Sequence, residues 1–329
     1  MTKFLRYISI LLFILIVLYI YPLPYYVTSP GSVEALAPII KVEDGFKEKG
    51  SFSLVTVYMS KANVFSYLNS KMDSYIHLFK KEEIMDENES DEEYDVRSLK
   101  DMDDAKTDAM ITAFSKAHVP FQTAYNGIYV LHVEKGKPAY GKLKPGDRII
   151  EIDGVKLEKE MQFRAIFDQK KIGDMVEIRY VRNKKESTVT LKLAKISEGK
   201  PGIGIGLVED KKVKSVVTVK IDSEEIGGPS AGLMFTLEIY NQLTKIDYTK
   251  GYRIAGTGTI DEQGRVGAIG GIDQKVVAAA QNESKIFFAP REFGNYKTAV
   301  KTAKDIKTKM KIVPVETFDD AISYLEKMK

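Results

Sequence analysis

The chain has 329 residues and contains neither cysteine nor tryptophan. Without cysteine, disulfides, thiol nucleophiles and thiolate metal sites are excluded together. The compartment is not fixed by that absence alone. Histidine is nearly missing too: His77, His118 and His132 are the three, and none lies beyond residue 132. A Ser-His-Asp triad within the C-terminal part is therefore impossible without reaching back into earlier segments. A zinc site has no cluster of His and Cys ligands to draw on. The formal net charge is +3 and no basic block stands out, so nothing points to a nucleic-acid partner. Nucleotide signatures are lacking as well. Gly199-Lys200-Pro201 puts proline where a P-loop needs the Ser or Thr that holds Mg²⁺, and Gly202-Ile203-Gly204-Ile205-Gly206 fails the G-x-G-x-x-G fingerprint. No cofactor and no metal are expected.

What is present begins with an apolar N-terminus. Residues 7–33 carry no charge, with Lys3 and Arg6 before them and Glu34 the first charge after. The run from Phe4 to Leu23 reaches the roughly 20 residues of a membrane-spanning helix. Pro22 and Pro24 end it, and Tyr21, Tyr25 and Tyr26 supply interfacial aromatics. The positive-inside rule then predicts a single-pass anchor, residues 1–27, with everything after it extracytoplasmic. A cleaved signal peptide is the competing reading. It lacks an Ala-x-Ala site, and its nearest candidate, Val27-Thr28-Ser29, is followed by Pro30.

Residues 28–117 read as strands over 33–42 and 51–59, an amphipathic helix over 60–80, an acidic run over 82–95 and a helix over 101–117. This region is expected to pack partly on the C-terminal domain. Asp86-x-Asn88-x-Ser90 faintly suggests a calcium loop, but Asp91 and Arg97 stand where Gly and Glu are required, which leaves a solvated charged segment. Residues 118–196 differ in character: short strands, one helix over 161–169 and the turns Lys144-Pro145-Gly146-Asp147 and Asp153-Gly154. With Gly127-Ile128-Tyr129-Val130 and Ala139…Leu143-x-Pro145-Gly146-Asp147-x-Ile149-Ile150, this segment resembles a PDZ domain of the bacterial type. The resemblance implies a groove between the 127–133 strand and the 161–169 helix that takes a peptide by strand addition. A β-rich spacer that binds nothing is the alternative.

Residues 197–329 alternate strands and helices, as a mixed α/β domain does. Gly227-Gly228 precedes Pro229-Ser230-Ala231-Gly232, which predicts a helix starting at Pro229 with Ser230 on its first turn. There free N–H groups and the dipole favour an anion, as beside an oxyanion hole. A serine near a helix start is also simply common. Lys275 lies on a short helix beside Gly271, Ile272, Ala278 and Ala279, all small or apolar. A lysine aimed at an apolar interior loses proton affinity and can serve as a base. A lysine that snorkels to water is the other reading. With no histidine available, Lys275 is the base left for Ser230.

Gly228-Pro229-Ser230-Ala231-Gly232, Ala255-Gly256-Thr257-Gly258-Thr259-Ile260 and Gly267…Gly270-Gly271-Ile272-x-x-Lys275 together resemble a Lon-type proteolytic domain. The resemblance implies Ser230 as nucleophile, Lys275 as base and Thr257 orienting the lysine. Many relatives carry Glu where this chain has Thr259. Anchor, PDZ and Lon-type domain in this order resemble the SepM/YlbL-type surface proteases. The implied protein is an α+β chain with a transmembrane helix, a PDZ domain and a Lon-type domain. Its implied activity is that of an ATP-independent extracytoplasmic serine endopeptidase, acting on secreted peptides or exposed segments of membrane proteins. The PDZ groove would bind a peptide segment, and a homo-oligomer is compatible with the family. A PDZ-based peptide-binding scaffold with an inactive protease fold is the alternative.

Overall fold

The structure is a computed structural model that describes residues 2–86, 89–196, 199–223 and 226–328. Asn88 of the rejected calcium loop and the expected domain boundary at Ser197 lie outside these residues.

The first helix, α1 (Thr2–Ile20), has 19 residues, about 28 Å at 1.5 Å per residue. It stops three residues before Leu23, because Pro22 and Pro24 interrupt it and the Leu23 N–H donates to the Ala62 carbonyl at 2.7 Å instead. Among the described residues no helix is long and apolar enough to cross a membrane. The expected membrane-spanning anchor, and the extracytoplasmic placement that followed from it, are thereby corrected.

Next come β1 (Tyr26–Ala35), β2 (Ile40–Val42), β3 (Ser51–Lys61), α2 (Val64–Asn69), β4 (His77–Phe79) and α3 (Asp91–Lys116). The helix expected over 60–80 shrinks to α2. The Asp73 carboxylate accepts the Tyr75 N–H at 2.9 Å, a local turn that competes with helix continuation. By contrast α3 begins ten residues earlier than periodicity indicated. Ser90 and Glu93 form a reciprocal capping box, and Asp91, Glu92 and Glu93 in the first turn suit the helix dipole. Residues 91–95 of the acidic run are thus a helix start.

The segment that resembles a PDZ domain, and the residues just after it, contain β5 (Phe121–Val133), β6 (Arg148–Ile152), β7 (Val155–Lys156), α4 (Glu160–Asp168), β8 (Met175–Arg182), β9 (Lys185–Lys192), β10 (Ala194–Lys195), β11 (Pro201–Gly202) and β12 (Ile205–Ser215). Its sheet runs β12-β5-β6-β8-β9, with β7 paired to β6. Ile128, Val130, Ile149, Val176 and Ile178 fill its core. The Pro145-Gly146-Asp147 turn is fixed by buried Asp147, which accepts the Lys144 N–H at 2.8 Å and pairs with Arg182 at 2.6 Å.

The remaining elements are β13 (Val219–Ile221), α5 (Gly232–Thr244), β14 (Arg253–Gly256), β15 (Thr259–Ile260), β16 (Val266–Gly267), α6 (Ile272–Gln281), β17 (Ile286–Pro290), α7 (Asn295–Asp305), β18 (Lys311–Val315) and α8 (Phe318–Lys327). One sheet of order β18-β17-β14-β3-β1-β4 joins strands from both ends of the chain. β18, β17, β14 and β3 are mutually parallel; β1 is antiparallel to β3. A parallel sheet needs cover on both faces. Phe52, Leu54, Ile254 and Phe288 pack against α3, α5 and α8, while Val55, Ala255, Phe287 and Ala289 pack against α6 and α7. Ser230 precedes α5 on one face and Lys275 lies on α6 on the other. They meet at the carboxyl end of β14, the usual place for a site in such sheets.

Candidate active site

Two glycines bring the Ser230 loop against α3. The Gly228 N–H donates to the Ser98 carbonyl at 2.7 Å, and Gly228 holds a left-handed φ of 82°. A Cβ on Gly227 would collide with Ser98 Oγ. Pro229, Ser230 and Ala231 then turn into α5, whose N-cap is Ala231. Ser230 therefore sits on the turn entering the helix, not on its first helical turn. The cause is its carbonyl, which accepts from the Gly258 N–H at 2.9 Å and from Thr257 Oγ1 at 3.0 Å rather than from the helix backbone. Among the described residues neither the Ser230 nor the Ala231 N–H donates to a protein acceptor. Both belong to the positive end of α5.

Lys275 enters from the opposite face. Gly271, with φ of 66°, opens α6, and the Lys275 side chain is 3% exposed. Its Nζ lies 2.7 Å from Ser230 Oγ and 3.1 Å from Thr257 Oγ1. Asp273 is drawn away by His77 Nε2 at 3.0 Å, and Gln274 donates to Thr28 Oγ1 and to the Tyr75 carbonyl. No carboxylate contacts the amine among the described residues. Burial alone pushes Lys275 from 10.5 down to about 7. A neutral amine offers a lone pair to the Ser230 proton while still donating to Thr257. Thr257 is buried and bridges the two residues, its hydroxyl donating to the Ser230 carbonyl. The structure thus brings Ser230, Thr257 and Lys275 together from three separate elements.

Several features escaped the sequence. On α5 the apolar pattern hides Glu238, which is fully buried and pushed up to about 8 by desolvation and by nearby Glu48. Its Oε1 accepts from Gln242 Nε2 at 2.5 Å, and Oε2 has no partner among the described residues. A carboxyl in such surroundings is neutral at pH 7. Helix α3 was not anticipated at the site, yet it supplies Ser98, Leu99 and Met102 to the cavities around Ser230.

The peptide groove also differs from expectation. Strand β5 (Phe121–Val133) lies inside the PDZ sheet, paired with β12 on one edge and β6 on the other, so it has no edge to offer along those pairs. A groove of about 520 Å³ instead lies between Phe163 and Phe167 of α4 and residues 202–207. The Gly202-Ile203-Gly204-Ile205-Gly206 repeat was the available signal, since glycines in a strand permit close backbone approach. His132 lines this groove and its Nδ1 lies 2.7 Å from buried Glu93 of α3, tying the PDZ sheet to the helix that carries the Ser230 loop.

Comparison with known proteins matches residues 116–193 to the PDZ domain family and residues 207–327 to the Lon protease (S16) C-terminal proteolytic domain. Among curated relatives, Lon protease of Metamycoplasma arthritidis is 31% identical over 142 residues, covering 43% of this chain and 16% of that protein. Lon protease of Malacoplasma penetrans is 28% identical over 169 residues, covering 47% and 21% respectively. The chain thus spans about a fifth of these relatives' length. A crystal structure of the PDZ domain of an SdrC-like protein from Listeria monocytogenes is 40% identical, covers 26% of this chain and 90% of that one, and has a TM-score of 0.25. The chain thus carries a segment matching the PDZ domain family, followed by one matching the Lon C-terminal proteolytic domain.

Proposed function

We propose that this chain is a serine endopeptidase that cuts peptides or exposed protein segments without ATP, using Ser230 as nucleophile and Lys275 as general base. The observation that carries the proposal is the 2.7 Å contact between a buried lysine amine and the serine hydroxyl. Neutral Lys275 takes the Ser230 proton as Oγ attacks the scissile carbonyl. The oxyanion that forms is met by the N–H groups of Ser230 and Ala231, which have no protein acceptor among the described residues. As the C–N bond breaks, protonated Lys275 returns the proton to the leaving amine. Water then attacks the acyl-Ser230 ester, Lys275 again acting as base, and the acid product leaves. Thr257 keeps the amine directed at Oγ. The PDZ groove beside α4 supplies a second, non-catalytic hold on a peptide segment.

The test is cleavage of an unstructured protein by the full chain without nucleotide, beside Ser230→Ala and Lys275→Ala. Cutting by wild type alone, with both variants folded, supports the assignment. Cutting that persists in both variants removes these residues from the chemistry. A silent wild type, together with peptide binding in the PDZ groove, favours the scaffold reading.

A further inference from the structure

Helix α3 (Asp91–Lys116) faces two sites at once. Glu93, Lys100 and Asp108 recur at spacings close to whole turns, so they lie along one face. That face meets the sheet in which β5 pairs with β12. Buried Glu93 lies 2.7 Å from His132 Nδ1, and its Oε1 also accepts the Val133 N–H at 3.4 Å. Buried Lys100 stands 4.0 Å from Asp210 and over the Tyr129 ring, and Asp108 lies 3.9 Å from Lys211. Ser98, Met102, Ala109 and Ala113 fall on the opposite face. Met102, Ala109 and Ala113 share a core with Leu233 and Leu237 of α5. The Ser98 carbonyl holds the Gly228 N–H, just before Ser230 in the chain. Glu93 and Ser98 are about 7.5 Å apart along the helix axis. His132 is the outer end of this short series of contacts. Its ring lines the groove beside α4, Nδ1 faces Glu93, and Nε2 has no protein partner among the described residues.

We infer, resting on the peptidase reading above, that a peptide held in the groove beside α4 activates Ser230 through α3. A peptide group bonded to His132 Nε2 favours the ring position that also bonds Glu93, which gives the ligand a differential affinity for one arrangement of the helix. A close-packed helix cannot settle against the β5–β12 sheet without carrying its opposite face along. Settling α3 fixes the Ser98 carbonyl, and with it the Gly228 amide and the loop that presents Ser230 Oγ to Lys275. His132 and Glu93 are positioning residues in this scheme and touch no reacting atom. Lys100 and Asp108 keep the two faces in register along the rest of the helix.

The experiment uses the full chain, whose lack of cysteine and tryptophan allows one of each to be introduced as a unique probe. Arg164 is exposed on the groove's rim, so Arg164→Cys can carry the peptide Cys-Gly-Gly-Trp-Leu-Val through a disulfide. Tethering holds the peptide at high effective concentration, and a blue shift of its tryptophan emission reports that it enters the groove. The same protein tethered to Cys-Gly-Gly is the reference. Ser230 is read by its acylation with p-nitrophenyl acetate, with Ser230→Ala as the blank. A coupling of ordinary size predicts acylation about five- to 150-fold faster with the groove filled. His132→Phe should abolish the increase while the tryptophan stays buried, and His132→Asn, whose amide can stand in for Nδ1, should restore part of it. A buried tryptophan with an unchanged acylation rate overturns the inference, as does an increase that His132→Phe leaves intact. A tryptophan that stays exposed overturns the groove as the sensing end. All of these outcomes leave the peptidase reading standing. Acylation that survives Ser230→Ala, or that is absent with and without the tether, overturns the peptidase reading and the inference with it.

Discussion

On the proposed mechanism, Lys275 sets the pH at which the site works. At the ordinary lysine value of 10.5, only about 0.03% of the amine would be neutral at pH 7; at about 7, half of it is. Burial therefore raises the working fraction of base by about a thousandfold at neutral pH. The same shift represents folding free energy on the order of 5 kcal/mol, since each unit is about 1.4 kcal/mol. The sign follows from linkage. Between about pH 7 and 10.5 the unfolded chain holds the proton and the folded chain does not, so this residue's contribution to stability rises with pH across that window. Below pH 7 the folded chain carries a buried ammonium and the penalty is complete. Two assays read the effect. Cleavage rate against pH should climb about tenfold per unit below 7 and flatten above it. Lys275→Met, which should be inactive and lacks the penalty, should be more stable than wild type at pH 6 by chemical denaturation, with the gain shrinking as pH approaches 10. A rate profile that bends near 10, or a Met variant whose advantage does not change with pH, refutes the reasoning.

Thr257→Val removes both the acceptor for Lys275 and the donor to the Ser230 carbonyl. At about 0.5–1.5 kcal/mol per hydrogen bond, kcat should drop roughly five- to 150-fold with KM little changed, and Thr257→Ser should recover most of it. For Glu238, the folded value of about 8 lies above the unfolded value near 4.3, so its contribution is complete below the unfolded value and is lost as pH rises through the folded one. Glu238→Gln should remove that slope, and melting curves from pH 5 to 9 will show whether the two proteins diverge as pH increases. Gly227→Ala should cost about 1–3 kcal/mol by driving a methyl into Ser98 Oγ. Pairing it with Ser98→Ala should restore both melting temperature and turnover; an unchanged single variant would show that the contact has slack.

Much of the C-terminal domain was legible because its strands and helices alternate in order, and Gly271 and Gly294 stand at the starts of two helices. The environment of Lys275 was legible for a simpler reason: its helical neighbours are small or apolar, so a buried amine follows from spacing of three and four. Other features depend on contacts across the chain. Strand β3 lies parallel to β14, with Ser51 opposite Arg253, and no local pattern announces such a partner. The start of α3 was masked by its own capping acids, which read as a solvated run until Ser90 and Glu93 are seen to bond reciprocally. Glu238 sits in an apolar helix whose periodicity gives no hint that a carboxyl there is buried. The span of α1 was overestimated because hydropathy continues past Ile20 while the helix does not. The groove strand was misassigned because the PDZ resemblance implied β5, whereas the fold places the residues before and within β12 beside α4.

The central claim is covalent, and intact-protein mass spectrometry after acid quench tests it directly. A slow peptidyl ester incubated with the full chain should leave its acyl group on the peptide containing Ser230, with labelling that strengthens as pH rises through about 7 and vanishes in Lys275→Met. Acylation at another residue, or labelling of Ser230 that Lys275→Met leaves unchanged, would contradict the account.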